Sequence, residues 1–260
     1  MNGKYCSKWL RPAILGMLGV VALSGQGWGW SLGSLDGAIS AGGSAWKAAT
    51  LSDKDVKELS DRACAEVDQQ SKIAPPNSKY TVRLQKIMKG MPSEINGHKL
   101  QYKVYMTRDI NAWAMGNGCV RVYSALMDMM TDDEIRGVIG HEIGHVALGH
   151  SKKAMQTAYA ATAARQVASA SGNSIATSIN SSQLGDLSEK FINAQFSQKQ
   201  ESAADDYSFD LLTKSGFKRE GLVTAFQKLA KMGDSSSMLN SHPASSARAK
   251  HIQDRIDKNK

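Results

Sequence analysis

Cysteine, proline and long apolar runs are all scarce in this chain. Three cysteines in 260 residues exclude a small disulfide-stapled scaffold. Five prolines and an apolar content of 42% exclude a disordered, low-complexity protein over most of the length. The most apolar stretch, Pro12 to Leu23, is too short to span a bilayer, which takes about 20 residues. Acidic residues are absent before Asp36, so Lys4, Lys8 and Arg11 supply three of the net +8 charges. The remainder contains no basic block of the kind nucleic-acid binders carry, and no nucleic-acid partner is expected.

At the N-terminus, three basic residues precede the short apolar core. The small residues Ser24, Gly25, Gly27 and Gly29 follow it, and together they read as a secretory signal over 1–27. Residues 28–50 are rich in Gly, Ser and Ala and read as a flexible linker, leaving 51–260 as one domain with no integral membrane span. Loss of the signal removes Cys6 and leaves Cys64 and Cys119. An even count in an oxidising compartment predicts a disulfide between them, with two buried thiols as the alternative.

The densest chemistry lies in His141-Glu142-Ile143-Gly144-His145. On a helix, positions i and i+4 share a face, so both imidazoles can reach one zinc ion. Glu142 projects about 100° away round the helix, where it can take a proton from a zinc-activated water as general base. Ile135, Val138, Ile139, Ile143 and Val146 make the helix apolar, and Thr131 with Glu134 forms a capping box that starts it. A regular helix would carry His150 about 140° from His145, pointing elsewhere. The metzincin pattern also fails, with Leu148 and Ser151 where its Gly and third His belong.

Catalytic zinc takes three protein ligands and keeps one open position. Glu201 is the candidate third ligand, on a helix expected from about Lys190 to Ser215. Asp205, one turn on, can hydrogen-bond the far nitrogen of a liganding histidine. A solvated charged face is the competing reading, but Ala203, Ala204, Tyr207, Leu211 and Leu212 mark a packed helix.

Upstream, Ser52 with Asp55 opens a helix whose apolar face holds Val56, Leu59, Ala63 and Val67. Tyr80, Leu84, Ile87 and Met91 suggest a second, and Leu100 to Met106 alternates as a strand. Ala112 to Met115, then Gly116-Asn117-Gly118, then Cys119 to Tyr123 reads as a hairpin. The class is therefore α+β and mainly helical, with a small antiparallel sheet beside a zinc-binding helical bundle. The hairpin edge at Asn111, Ala112, Trp113 and Ala114 could dock an extended peptide across the zinc; equally, Asn111 could only cap a turn. Residues 171–183 lie between the two zinc-bearing helices and are a lid or a plain surface loop. A final helix, with Ala247, Ile252 and Ile256 as its apolar positions, is expected to close the domain.

Four blocks carry a family resemblance. They are Asn111 to Met115 with Gly116 and Gly118; His141 to His150; Phe196-Ser197 through Glu201 to Asp205; and His242-Pro243 with Arg248. In this order and spacing the chain resembles the HtpX/Oma-like zinc metallopeptidases of gluzincin type, and among them the periplasmic LoiP/BepA branch. The resemblance implies one zinc ion held by His141, His145 and Glu201, with Glu142 as base and Asp205 in support. It places His242 and Arg248 near the metal, where His242 either stabilises the oxyanion or blocks the zinc at rest. It implies a metalloendopeptidase acting on misfolded or unassembled envelope proteins, with outer-membrane assembly factors as further partners. A chaperone-like binder with little turnover is the alternative. LoiP-like lipoproteins carry a cysteine after a Leu-Ser-Gly type sequence, but here Gln26 follows Leu23-Ser24-Gly25. The expected location is thus the periplasm of a Gram-negative bacterium, soluble or peripherally attached to the outer membrane, without a lipid anchor.

Overall fold

A computed structural model describes residues 51–163, 179–232, 237–242 and 245–258. The expected signal, the linker and residues 171–178 of the candidate lid lie outside the described residues. No described helix is long and apolar enough to cross a membrane.

Helix α1 (Asp53–Gln70) begins at the predicted capping box: the Asp55 N–H donates to Ser52 Oγ, and the Ser52 N–H donates to the Asp55 carboxylate. Helix α2 (Lys79–Met88) follows, capped by Ser78. Two short strands, β1 (Glu94–Ile95) and β2 (His98–Lys99), pair antiparallel. The main sheet has the order β3 (Gln101–Tyr105), β5 (Cys119–Tyr123), β4 (Ala112–Ala114). The predicted hairpin is present as β4 antiparallel to β5, in the register Ala112↔Val122 and Ala114↔Val120. The sheet is not purely antiparallel, because β3 runs parallel to β5.

Alternation along these strands divides the interior in two. Val104, Ala112, Ala114, Val120 and Val122 face one core, which includes Ile135, Val138, Ile139 and Phe226. Tyr105, Trp113 and Cys119 face the other, with Leu59, Ala63, Met155 and Leu187. The predicted disulfide lies in that second core, where Cys64 on α1 is bonded to Cys119 on β5. Beside it Arg121, only 1% exposed, donates through Nε and Nη2 to Asp68 at 2.8 and 2.9 Å.

The first core is built on helices. After the short α3 (Ser124–Met129) comes α4 (Asp132–Ala147), opened by the Thr131–Glu134 capping box. Helix α5 (His150–Ala163) lies across the other core, with α6 (Ser181–Ile192) packed on it and on α1. The single helix expected from Lys190 to Ser215 is in fact two, α6 and α7 (Gln198–Lys214). Ser197 starts a fresh capping box with Gln200, and that local hydrogen bonding outcompetes helix continuation through Asn193–Phe196. Helices α8 (Glu220–Ala230), α9 (Ser237–Ser241) and α10 (Ser245–Lys258) complete the chain. Helix α10 buries Ala249, Ile252 and Ile256, whereas Ala247 is exposed. Position 249 is three residues before Ile252 and shares its face, which Ala247, five before, does not.

Candidate metal centre

Helix α4 carries three glycines on the side that meets α7 and α8. A Cβ on Gly140 would come within 2.6 Å of Ser208 Oγ, and one on Gly144 within 3.0 Å of the Ala204 carbonyl oxygen. Removing those side chains lets α7 approach α4 closely enough to bring Glu201 and Asp205 against His141 and His145.

The result is a fully buried cluster. His141 Nε2 and His145 Nε2 lie 3.0 Å apart. Glu201 Oε1 is 3.3 Å from His145 Nε2, and its Oε2 is 3.6 Å from His141 Nε2. His242, just past α9, brings its Nδ1 to 3.2 Å from His141 Nε2 and 3.0 Å from Glu201 Oε1. One ligand atom from each of these four residues falls within 4.8 Å of every other, a spacing that can hold one metal ion.

Surrounding groups fix these side chains. His141 Nδ1 is 2.8 Å from Asp205 Oδ1. Arg248 donates from Nε and Nη2 to both oxygens of Asp205, at 2.8 and 2.6 Å, and its Nη1 lies 2.5 Å from Glu201 Oε2. One guanidinium therefore orients both carboxylates, and its own face rests on the Phe226 ring at 4.1 Å. Phe196 stacks on His145 with centroids 3.9 Å apart.

Protonation follows from the same geometry. Burial pushes His145 well below its ordinary value, which keeps the imidazole neutral and able to ligate. Burial would raise Glu201, but His242, His145 and His141 outweigh it and hold the carboxyl ionised. Burial raises Glu142, against the pull of His242 and His141, as suits a group that must both accept and release a proton. Glu142 Oε1 is buried without a hydrogen-bond partner; His242 Nε2 lies 3.5 Å away. An unpaired carboxylate oxygen beside the neutral His145 imidazole and the ionised Glu201 fits a site for a metal and its reacting partner.

Every expected site residue of the helical bundle converges here: His141, Glu142, His145, Glu201, Asp205, His242 and Arg248. Asn111 is 2% exposed, and its Oδ1 accepts from the Ala112 N–H at the start of β4. Trp113 points into the second core, away from the metal cluster. Two residues at the edge of the cluster had no role assigned from the sequence. Phe196 was legible only as part of a motif, and His150 was placed on a helix that in reality stops short of it. A cavity of about 500 Å³ opens beside the cluster, walled by His150, Lys153, Ala154, Lys190, Phe196 and Gln200.

A buried helix of this kind, with a glutamate between two histidines and a second carboxylate from a neighbouring helix placed to hold a metal, defines a metallopeptidase. Residues 78–256 match Peptidase family M48, and the chain belongs to that family. It is 56% identical over 223 residues to metalloprotease LoiP of Escherichia coli K12, covering 85% of this chain and 88% of that protein. It is 55% identical over 221 residues to metalloprotease YcaL of the same organism, covering 84% and 87%. A 50-residue stretch is 44% identical to protease HtpX of Actinobacillus pleuropneumoniae, 18% of this chain and 17% of that one. The protein is a metalloprotease.

Proposed function

We propose that this metalloprotease is a zinc endopeptidase that cleaves misfolded or unassembled proteins of the cell envelope. The buried His141–His145–Glu201 donor set carries the reading, with the unpaired Glu142 oxygen at its rim. The signal-like N-terminus supports the envelope assignment.

His141, His145 and Glu201 would hold the zinc. When bound, zinc supplies a Lewis acid that activates water and polarises the scissile carbonyl. Glu142 takes the proton of the attacking water and delivers it to the leaving amine; its raised affinity for protons serves both transfers. Asp205 and Arg248 keep His141 and Glu201 in place.

The edge of β4 supports a docking role for an extended substrate. Asn111 and Met115 flank it with their hydrogen bonds to β5, so the outer backbone groups belong to Ala112 and Ala114. The Ala112 N–H is taken by Asn111 and the Ala114 carbonyl by Ser151. The Ala112 carbonyl and the Ala114 N–H remain, among the described residues, as the pair a substrate backbone would meet.

His242 favours one of its two expected roles. Its Nδ1 would add a fourth donor to the His141–His145–Glu201 set, which supports a block of the zinc at rest over oxyanion stabilisation. His242→Ala is then expected to raise cleavage of an unfolded protein; a large fall would return His242 to oxyanion stabilisation.

The deciding experiment compares wild type with Glu142→Gln, each with zinc quantified, on an unfolded protein substrate. Both are expected to hold about one zinc, with cleavage by wild type alone. If neither cleaves while both suppress substrate aggregation, the binder reading gains, and it prevails if His242→Ala is silent too.

A further inference from the structure

A zinc-bound histidine needs a partner for its outer ring nitrogen, which sets the tautomer and ring orientation. For His141 that partner is Asp205 at 2.8 Å. His145 turns its Nε2 to the cluster, so its outer nitrogen is Nδ1. Nδ1 lies 3.0 Å from Nδ1 of His150. Among the described residues no other hydrogen-bond partner of that atom is present.

The backbone explains how a residue five positions on can reach. Helix α4 ends at Ala147, and Gly149 takes φ +75, a left-handed conformation that reverses the chain. His150 then begins α5 directly over the last turn of α4, its ring 5.1 Å from that of His145. Phe196 holds the other side, stacked on His145 and 6.3 Å from His150.

We propose that His150 is a positioning residue for the metal centre, accepting a hydrogen bond at Nδ1 from the Nδ1–H of His145. This rests on the zinc reading of the His141–His145–Glu201 set. With His145 engaged through Nε2, its proton resides on Nδ1. His150 must then keep its Nδ1 lone pair free and carry its own proton on Nε2. The two metal histidines are thus supported unequally, one by a carboxylate and one by an imidazole.

The test is zinc release to a chromophoric chelator from zinc-loaded wild type, His150→Ala and His150→Asn. Asparagine can place an acceptor oxygen near the Nδ1 position; alanine cannot. The alanine variant is expected to release zinc about 10–100-fold faster than wild type, and the asparagine variant within about threefold of it. Equal release from wild type and alanine overturns the proposal, and so does equal acceleration in alanine and asparagine, which would indicate ring packing alone. Should the alanine variant fail to fold, His150→Leu keeps the bulk without the acceptor and replaces it. Nitrogen NMR of the zinc-loaded protein gives a second readout: the Nε2–H tautomer is expected at His150, and an Nδ1–H tautomer there refutes the assignment. Wild type that retains no stoichiometric zinc would instead sink the zinc reading itself.

Discussion

The two cores on either side of the sheet are held together by different means. On the α1 side the links are a disulfide and a buried ion pair, Cys64–Cys119 and Arg121–Asp68. On the α4 side they are close helix packing through glycine and a charged cluster built around the metal position. The first arrangement fixes a scaffold and leaves its chemistry inert. The second places ionisable groups in the interior, where only mutual pairing and a metal can offset their desolvation. The metal cluster therefore sits mainly on one side of the three-stranded sheet that joins the two cores.

Asp205→Ala should break the functional half most severely. It leaves the buried Arg248 guanidinium without its doubly bonded partner, and a loss of about 3–5 kcal/mol is expected by urea unfolding. Zinc content should fall with it; an unchanged midpoint would mean that Arg248 finds another partner at no cost.

Breaking the scaffold half should cost less and spare the chemistry. Cys64→Ser with Cys119→Ser opens a link across 55 residues, for an expected loss of about 2–4 kcal/mol. Cleavage by the protein that remains folded at 25 °C should match wild type. A fall in turnover without a fall in folded fraction would show the halves are coupled.

The smallest effect sharpens the comparison through pH. Burial would raise the Asp68 carboxyl, but Arg121, Lys103 and Tyr105 hold it at about 2, below the ordinary 3.8. A depressed value means the folded state binds this proton less readily than the unfolded state. The contribution is therefore complete above about pH 4 and disappears as pH falls through about 2. It should amount to roughly 1–2 kcal/mol, allowing for solvent screening. Acid titration of stability in Asp68→Asn should lack this step; a slope equal to wild type would remove Asp68 from the account.

Much of this was legible because it is local. The Ser52 and Thr131 capping boxes, the β4–β5 hairpin and the one-turn spacing of His141 and His145 each depend on residues within a few positions. Non-local features were less accessible. Nothing in residues 101–105 indicates a parallel partner, since register with β5 depends on what covers both faces. The break before Gln198 was missed because Ser197 and Gln200 can read as helix surface until their capping bonds are seen. His150 was assigned a direction from a helix that Gly149 ends, so one positive φ value converted a distant side chain into a neighbour. Glu201 and Asp205 were found by spacing, but their approach to α4 depended on glycines whose role appears only when the helices pack.

Those glycines also bear on mutational tolerance. Gly140 and Gly144 supply no ligand, yet a methyl group would lie 2.6 Å from Ser208 Oγ at the first and 3.0 Å from the Ala204 carbonyl oxygen at the second, so α7 would have to give way. In a saturation library selected for proteolysis, both positions should tolerate as little change as His141 and His145. A map of intolerant positions would thus trace the backs of two helices as clearly as the metal between them, and separating scaffold from chemistry would require scoring metal content alongside survival.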